Sequence, residues 1–399
     1  MGASNCADGG NARLRERLNE YISGVKPPDR GAIEAARARL DSLVKPPGSL
    51  GRLEDIAAAL AGIGGGLYYD AGKRCVIIMS SDNGVVEEGV AAAPQEVTHM
   101  MTLNFAKGVT GAAVLAKRFG ADLIVVDVGV NADIDHPSVV NRKIRKSTWN
   151  IAKREAMTRE EAERAVMAGI EAAICAAEKG YKLIGVGEMG IGNTTTSSAV
   201  LCALTGVKAE DATGKGAGLK EEAYRRKIEV IRGALAGYKP DPSDPIDVLA
   251  KVGGFDIAAM AGAYIGCAYS RMPAVIDGFI SIVAALAAYR LNPAVGDYIF
   301  ASHASYEQGF VHAARALGVE PYLNLNMRLG EGSGCPLMFA LIDAACAVIR
   351  DMGTFEQANI GEEYLNEIKD GGGFAVGGAA AGAEAGRDAN GADEGGGGA

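Results

Sequence analysis

The sequence predicts an α/β fold built on a parallel sheet, and three observations point there. Short β-branched apolar runs recur from residue 74 onward, each is followed by a small-residue loop and a helical stretch, and the runs lack the apolar–polar alternation of a half-exposed strand. Six runs qualify: Cys75–Met79, Leu123–Val128, Leu183–Val186, Ala274–Ile276, Tyr298–Ala301 and Tyr322–Leu325. The helical stretches fall at 95–118, 158–179, 194–204, 219–236, 256–270, 278–290, 304–317 and 334–351, many of them Ala-rich, as close packing on a sheet requires. No internal repeat is visible.

Ahead of the sheet, Ala12–Ser23 and Gly31–Leu43 read as helices separated by Lys26-Pro27-Pro28, and Lys45-Pro46-Pro47-Gly48 breaks the chain before another helix near Leu53. The expected organisation is a flexible segment over 1–10, a helical part over 11–70 and a parallel α/β catalytic domain over 71–331. Helices in 332–370 then return to the N-terminal ones to complete a small second domain. Residues 371–399 are mostly Gly and Ala with no periodic apolar face; ordering them costs backbone entropy that no burial offsets, so a disordered tail is expected.

With 48% hydrophobic and 22% charged residues, the 399-residue chain has the composition of a soluble globular protein, and its net charge of −9 argues against a nucleic-acid partner. The seven cysteines are scattered without a C-x-x-C pair, which favours a reducing cytoplasm over a disulfide framework or a zinc site. The N-terminus has no apolar region of a signal peptide, and the longest apolar stretch, 273–289, is interrupted by Asp277, so neither export nor a membrane partner is expected. The four histidines have no ligand spacing, and no metal or other cofactor is expected.

In open parallel sheets ligands bind outside the carboxyl ends of the strands. The loop after the third run, GEMGIGNTTTSS, puts glycines and then Asn193 and Thr194 at a helix start, where free N–H groups and the helix dipole favour an anion. It reads as a phosphate cradle or, more plainly, as a Gly-rich turn with Thr caps. It lacks the Gly-Lys-Ser/Thr ending of a nucleotide P-loop, as does Gly214-Lys215-Gly216, so nucleotide hydrolysis is disfavoured. Glu331 sits between Gly330 and Gly332 just before an apolar helix, a placement that suits a general base and equally a helix-start charge. Glu188, inside the cradle, carries the same ambiguity. Asp256 and Asp277 stand in apolar surroundings where an ionised carboxylate needs partners. His303 follows a buried run and reads as a structural group or a ligand contact.

Taken together, KPPGSLGRLEDIA (45–57), SSDNGVVEEGV (80–90), PQEVT (94–98), VDVGV (126–130), GEMGIGNTTTSSA (187–199), GGFDIAAMAGA (253–263), PAVIDGF (273–279), SHAS-x-E-x-G (302–309) and LNMRLGEGSG (325–334) resemble one family, the nicotinate-nucleotide:dimethylbenzimidazole phosphoribosyltransferases. The resemblance covers about 45–360. It implies an enzyme that joins a cobamide lower-ligand base to the ribose of nicotinate mononucleotide. The products are an α-riboside 5′-phosphate, α-ribazole phosphate when the base is dimethylbenzimidazole, and nicotinate. It also implies a homodimer, a sheet of Rossmann-like connectivity and a small helical domain from both chain ends.

Residue by residue, Glu331 matches the family's catalytic carboxylate, and Glu188 and Gly190 match active-site positions, with Gly192, Asn193 and Thr194 completing the cradle. Lys227 and Ser305 resemble positions at the nucleotide's phosphate end, and Asp256 and Asp277 match acidic residues near the nucleotide. Leu329 and the 80–95 segment, including Gln95, are expected to line the base pocket. The sequence departs from the commoner pattern at Asn83, where His is frequent, and at Ala91–Ala93, where Ser and an aromatic residue are frequent, which leaves open a benzimidazole, a purine or a phenol as the base. Two rivals remain: a same-fold enzyme acting on another phosphorylated nucleotide, and a non-catalytic nucleotide-binding paralogue.

Overall fold

The structure is a computed structural model in which residues 4–215 and 218–361 are described. The expected tail at 371–399 lies outside those residues. Three helices come first: α1 (Ser4–Gly24), which begins ahead of the expected Ala12, then α2 (Arg30–Asp41) and α3 (Arg52–Gly64). Then follow β1 (Arg74–Ser81), α4 (Glu96–Lys107), α5 (Gly111–Arg118), β2 (Ala121–Gly129), β3 (Val139–Asn141), α6 (Arg159–Glu178) and β4 (Leu183–Met189). The cradle loop leads into α7 (Asn193–Thr205), α8 (Ala209–Ala212), α9 (Glu221–Tyr238), α10 (Pro245–Val252) and α11 (Phe255–Tyr269). The last elements are β5 (Ala274–Ile276), α12 (Phe279–Leu291), β6 (Ile299–Ala301), α13 (Phe310–Leu317) and α14 (Cys335–Asp351).

All strand pairs are parallel, and the sheet order is β3-β2-β1-β4-β5-β6, the doubly wound order of a Rossmann sheet. Chain direction across the sheet reverses between β1 and β4, so a crevice opens at their carboxyl ends. The central strands are apolar on both faces because helices cover both. On one face α6 and α11 approach so closely that a Cβ on Gly169 or Gly262 would run into the other helix's backbone. Glycine is required at both positions.

Three expectations are corrected. The sixth strand is 139–141 rather than Tyr322–Leu325. The latter makes a single parallel bridge, His303 to Leu323, held by the Tyr322 and Leu323 N–H groups donating to the Ala301 and Ser302 carbonyls and by Ala304 N–H donating to the Leu323 carbonyl. The 95–118 helix is two, broken where Gly108 turns left-handed (φ +76°) and Thr110 caps Ala113 N–H. Residues 304–309 are loop, and α13 starts only at Phe310. Helix α10 escaped the sequence reading.

α14 returns to pack on α3 and α2, and the chain is pinned there by Arg39 donating to the carbonyls of Ile349 and Met352. Among the described residues no helix is long and apolar enough to cross a membrane.

Candidate active site

A cleft of about 300 Å³ opens at the carboxyl ends of β1, β4 and β5, at the reversal of the sheet. One wall is small and apolar, built by Val90–Ala93 with Val97 and Met101 of α4. The floor is the 188–194 segment, and the far walls are the start of α12, Ser305 with Glu307, and Arg328–Glu331.

Glu331 is held in an unusual backbone. Gly330, Glu331 and Gly332 all have positive φ (78°, 65° and 79°), a turn that two glycines make easy and the glutamate resists. The glycines are also required for space. A Cβ on Gly330 would meet Glu188 Oε1, and one on Gly332 would meet Val76. Glu331 is 8% exposed, its Oε2 buried without a partner, and the N–H of Ala112 in the first turn of α5 faces the carboxylate. Burial pushes its acid form up to about 7, the neighbouring Glu188 adds to the rise, and the Ala112 amide opposes it.

Glu188 lies near the end of β4. Its Oε1 accepts the Glu331 N–H (3.2 Å) and its Oε2 accepts from Asn193 Nδ2, which also donates to Asp256 Oδ2 (2.9 Å). Burial raises both acids, Asp256 to about 7. One amide thus ties two buried carboxyls together. Asp277, after β5, accepts from Gly332 N–H (2.9 Å) and Gly334 N–H (2.7 Å); burial still raises it to about 7 against those two donors. His303 lies beside it, and burial lowers that ring to about 4, so it is neutral at pH 7.

The glycines of the 187–194 loop are required by its close approaches and its turn into α7. A Cβ on Gly190 would press into the Ser81 carbonyl and the Asp256 carboxylate, and Gly192 is left-handed (φ +92°) at the N-cap of α7. Thr194 stands on the first turn, and its Oγ1 accepts from Lys227 Nζ (3.0 Å), which also donates to the Gly214 carbonyl (3.2 Å). Lys227 is fully buried, and desolvation lowers it to about 8.

The structure therefore brings Glu331, Glu188, Gly190, Gly192, Asn193, Thr194, Asp277, Ser305 and Leu329 to one cleft. Asp256 and Lys227 lie beneath its floor. Asn83 is also buried there, accepting from Thr196 Oγ1 (3.1 Å), and Gln95 turns away to accept from Asn131 Nδ2 (2.9 Å), so neither of these two lines the cleft. Sequence reasoning missed Lys215, Glu307, Arg328, Met101 and Phe279, all of which line it. Arg328 and Lys215 had a signal in their adjacency to the two Gly-rich loops.

A doubly wound sheet with a glycine-rich strand-to-helix loop and a buried carboxylate at one cleft, at the switch point of the sheet, defines an α/β protein of the class that binds ligands outside the carboxyl ends of its strands. The model of the phosphoribosyltransferase family DBI_PRT matches residues 25–360, and the chain belongs to that family. It is an enzyme of the pentosyltransferase class. Relatives named nicotinate-nucleotide–dimethylbenzimidazole phosphoribosyltransferase include one from Clostridium perfringens, 54% identical over 353 residues (88% of this chain, 98% of the relative). Another, from Acetivibrio thermocellus, is 54% identical over 336 residues (84% and 95%). The crystal structure of CobT from Thermus thermophilus superposes with a TM-score of 0.80 at 42% identity, over 83% of this chain and 99% of that one.

Proposed function

We propose that the enzyme transfers the 5-phosphoribosyl group of nicotinate mononucleotide to an aromatic lower-ligand base, 5,6-dimethylbenzimidazole or a related compound, releasing nicotinate and an α-riboside 5′-phosphate. The single observation that carries this reading is the Glu331 carboxylate. It is buried, raised to about 7 and bare at Oε2, and it faces a cleft with an anion cradle on one side and an apolar wall on the other. The relatives' printed names supply the substrates.

In this mechanism the phosphate sits on the start of α7 and the flat base lies against Val90–Ala93, Met101 and Leu329. One ring nitrogen attacks C1′ from the face opposite nicotinate; the C1′–N bond to nicotinate breaks and its electron pair goes to the pyridine nitrogen. Configuration at C1′ inverts. The other ring nitrogen becomes acidic as the first attacks, and Glu331 takes its proton. A carboxylate raised to about 7 is well matched to that task near neutral pH. The pyridinium leaves as a neutral ring, and holding the two rings in line supplies much of the rate. Glu188 fixes the Glu331 turn and, when ionised, favours positive charge developing on the ribose.

A homodimer, supported by the family resemblance, and a reducing cytoplasm, supported by the scattered cysteine pattern, belong to the same proposal. The test is product analysis by mass spectrometry with nicotinate mononucleotide and single bases. Nicotinate released in equal amount with a riboside phosphate supports the reading; nucleotide binding without any product favours a paralogue that binds only.

A further inference from the structure

We infer that Asp277 is a positioning residue whose carboxylate, through the amides of Gly332 and Gly334, holds the turn that presents Glu331 to the cleft. The inference rests on the general-base reading of Glu331 and assigns Asp277 a task apart from contact with the nucleotide.

The turn needs a restraint. Three successive left-handed residues, one of them carrying a side chain, do not hold this shape unaided. Two carboxylates restrain it: Glu188, near the end of β4, through the Glu331 N–H (3.2 Å), and Asp277, just after β5, through Gly332 N–H (2.9 Å) and Gly334 N–H (2.7 Å). Both Asp277 oxygens are thereby engaged, and the residue is 2% exposed. Gly334 opens α14, so the Asp277 carboxylate also sits at the positive end of a 17-residue helix. Asp277 is itself anchored: Ser302 Oγ donates to its carbonyl (3.0 Å), and its N–H donates to Ser281 Oγ (3.2 Å), which in turn donates to the Val186 carbonyl (2.8 Å). A chain of hydrogen bonds thus runs from β4 and from the residues just after β5 and β6 into the Glu331 turn. The space behind it is closed, since a Cβ on Gly334 would collide with His303.

The experiment is a double-mutant cycle on the full chain. Asp277→Asn keeps one acceptor oxygen and turns an N–H donor toward a backbone amide. It is expected to lower kcat about 100-fold, the scale of an ångström's misplacement at a reacting centre, while KM for nicotinate mononucleotide stays within about 3-fold of wild type. In the Glu331→Gln background the same change should cost almost nothing, because the positioned group is gone. A KM rise of tenfold with kcat retained, or equal losses in both backgrounds, overturns the inference. If Asp277→Asn does not fold, Ser302→Ala, which loosens the anchor of Asp277, goes through the same cycle with the same criteria. Amide exchange at 330–335 separates this claim from the reaction itself: the variant should exchange faster there and unchanged in β1 and β4, even if the wild type releases no nicotinate. Unchanged exchange in the turn sinks the positioning role; a wild type without turnover sinks the phosphoribosyl-transfer reading.

Discussion

At the scale of single residues, the account turns on what Glu331 does and when it is ionised. Glu331→Gln keeps the shape of the side chain and removes its basicity, so turnover should fall by about 10²–10⁴-fold while nicotinate mononucleotide still binds. Single-turnover kinetics beside a binding titration check this, and lost nucleotide affinity with normal turnover of the bound complex would contradict it. The carboxylate accepts a proton only when ionised, and burial holds its acid form up to about 7. Turnover at saturating substrate should therefore climb as pH rises from 5 to 8 and level off above, with the rising limb absent in Glu331→Gln. In the sequence, two glycines flank Glu331 immediately before an apolar helix, a placement that suits a general base and a helix-start charge alike, and it was the match to the family motif that singled it out. Arg328 and Lys215 had only their adjacency to Gly-rich loops as a signal, which does not say where a long side chain reaches once those loops have folded. The Asn193 bridge between Glu188 and Asp256 joins residues far apart along the chain and left no local signature.

Among the elements, the tightest fit is between α6 and α11, where Gly169 and Gly262 let backbone meet backbone. Gly169→Ala should force the helices apart and destabilise the protein by at least about 2 kcal/mol, seen as a lower thermal midpoint with the cleft chemistry intact in what remains folded. A midpoint equal to wild type would show that the two helices have room to separate. The long strands were legible because being buried on both faces gives uninterrupted apolar runs. Two short ones misled in opposite directions. Val139–Asn141 has two apolar residues and pairs only with the edge of β2, whereas Tyr322–Leu325 has a strand's composition but contributes one bridge. The break at Gly108 carried a turn signal, a left-handed glycine followed by a threonine cap, that the strong helical pattern on both sides outweighed.

For the molecule as a whole, the site is assembled against its own stability. Asp256, Asp277 and Glu331 are each raised to about 7 from ordinary values of 3.8, 3.8 and 4.5, so the folded chain keeps protons that the unfolded chain releases across that window. What these three groups contribute to stability is then fully present below the unfolded values and is lost as pH rises toward 7. His303, lowered from 6.5 to about 4, works in the opposite direction over part of the range, against these three and Glu188, which burial also raises. The ligand-free thermal midpoint should fall from pH 5 to pH 8, and Glu331→Gln should be more stable than wild type at pH 8 and no more stable at pH 5. Calorimetry of both proteins across that range decides; a wild-type midpoint that rises with pH would mean that the carboxyls are not held neutral.

The most direct test of the central claim is a product assay by mass spectrometry. Wild-type enzyme is given nicotinate mononucleotide with an equimolar panel of dimethylbenzimidazole, benzimidazole, 5-hydroxybenzimidazole, adenine, phenol and p-cresol. The account predicts nicotinate release matched by one or more α-riboside 5′-phosphates, with the preferred base showing what the small Ala91–Ala93 wall admits, and loss of both products in Glu331→Gln. Absence of any riboside phosphate from soundly folded enzyme, or undiminished product from Glu331→Gln, would contradict it.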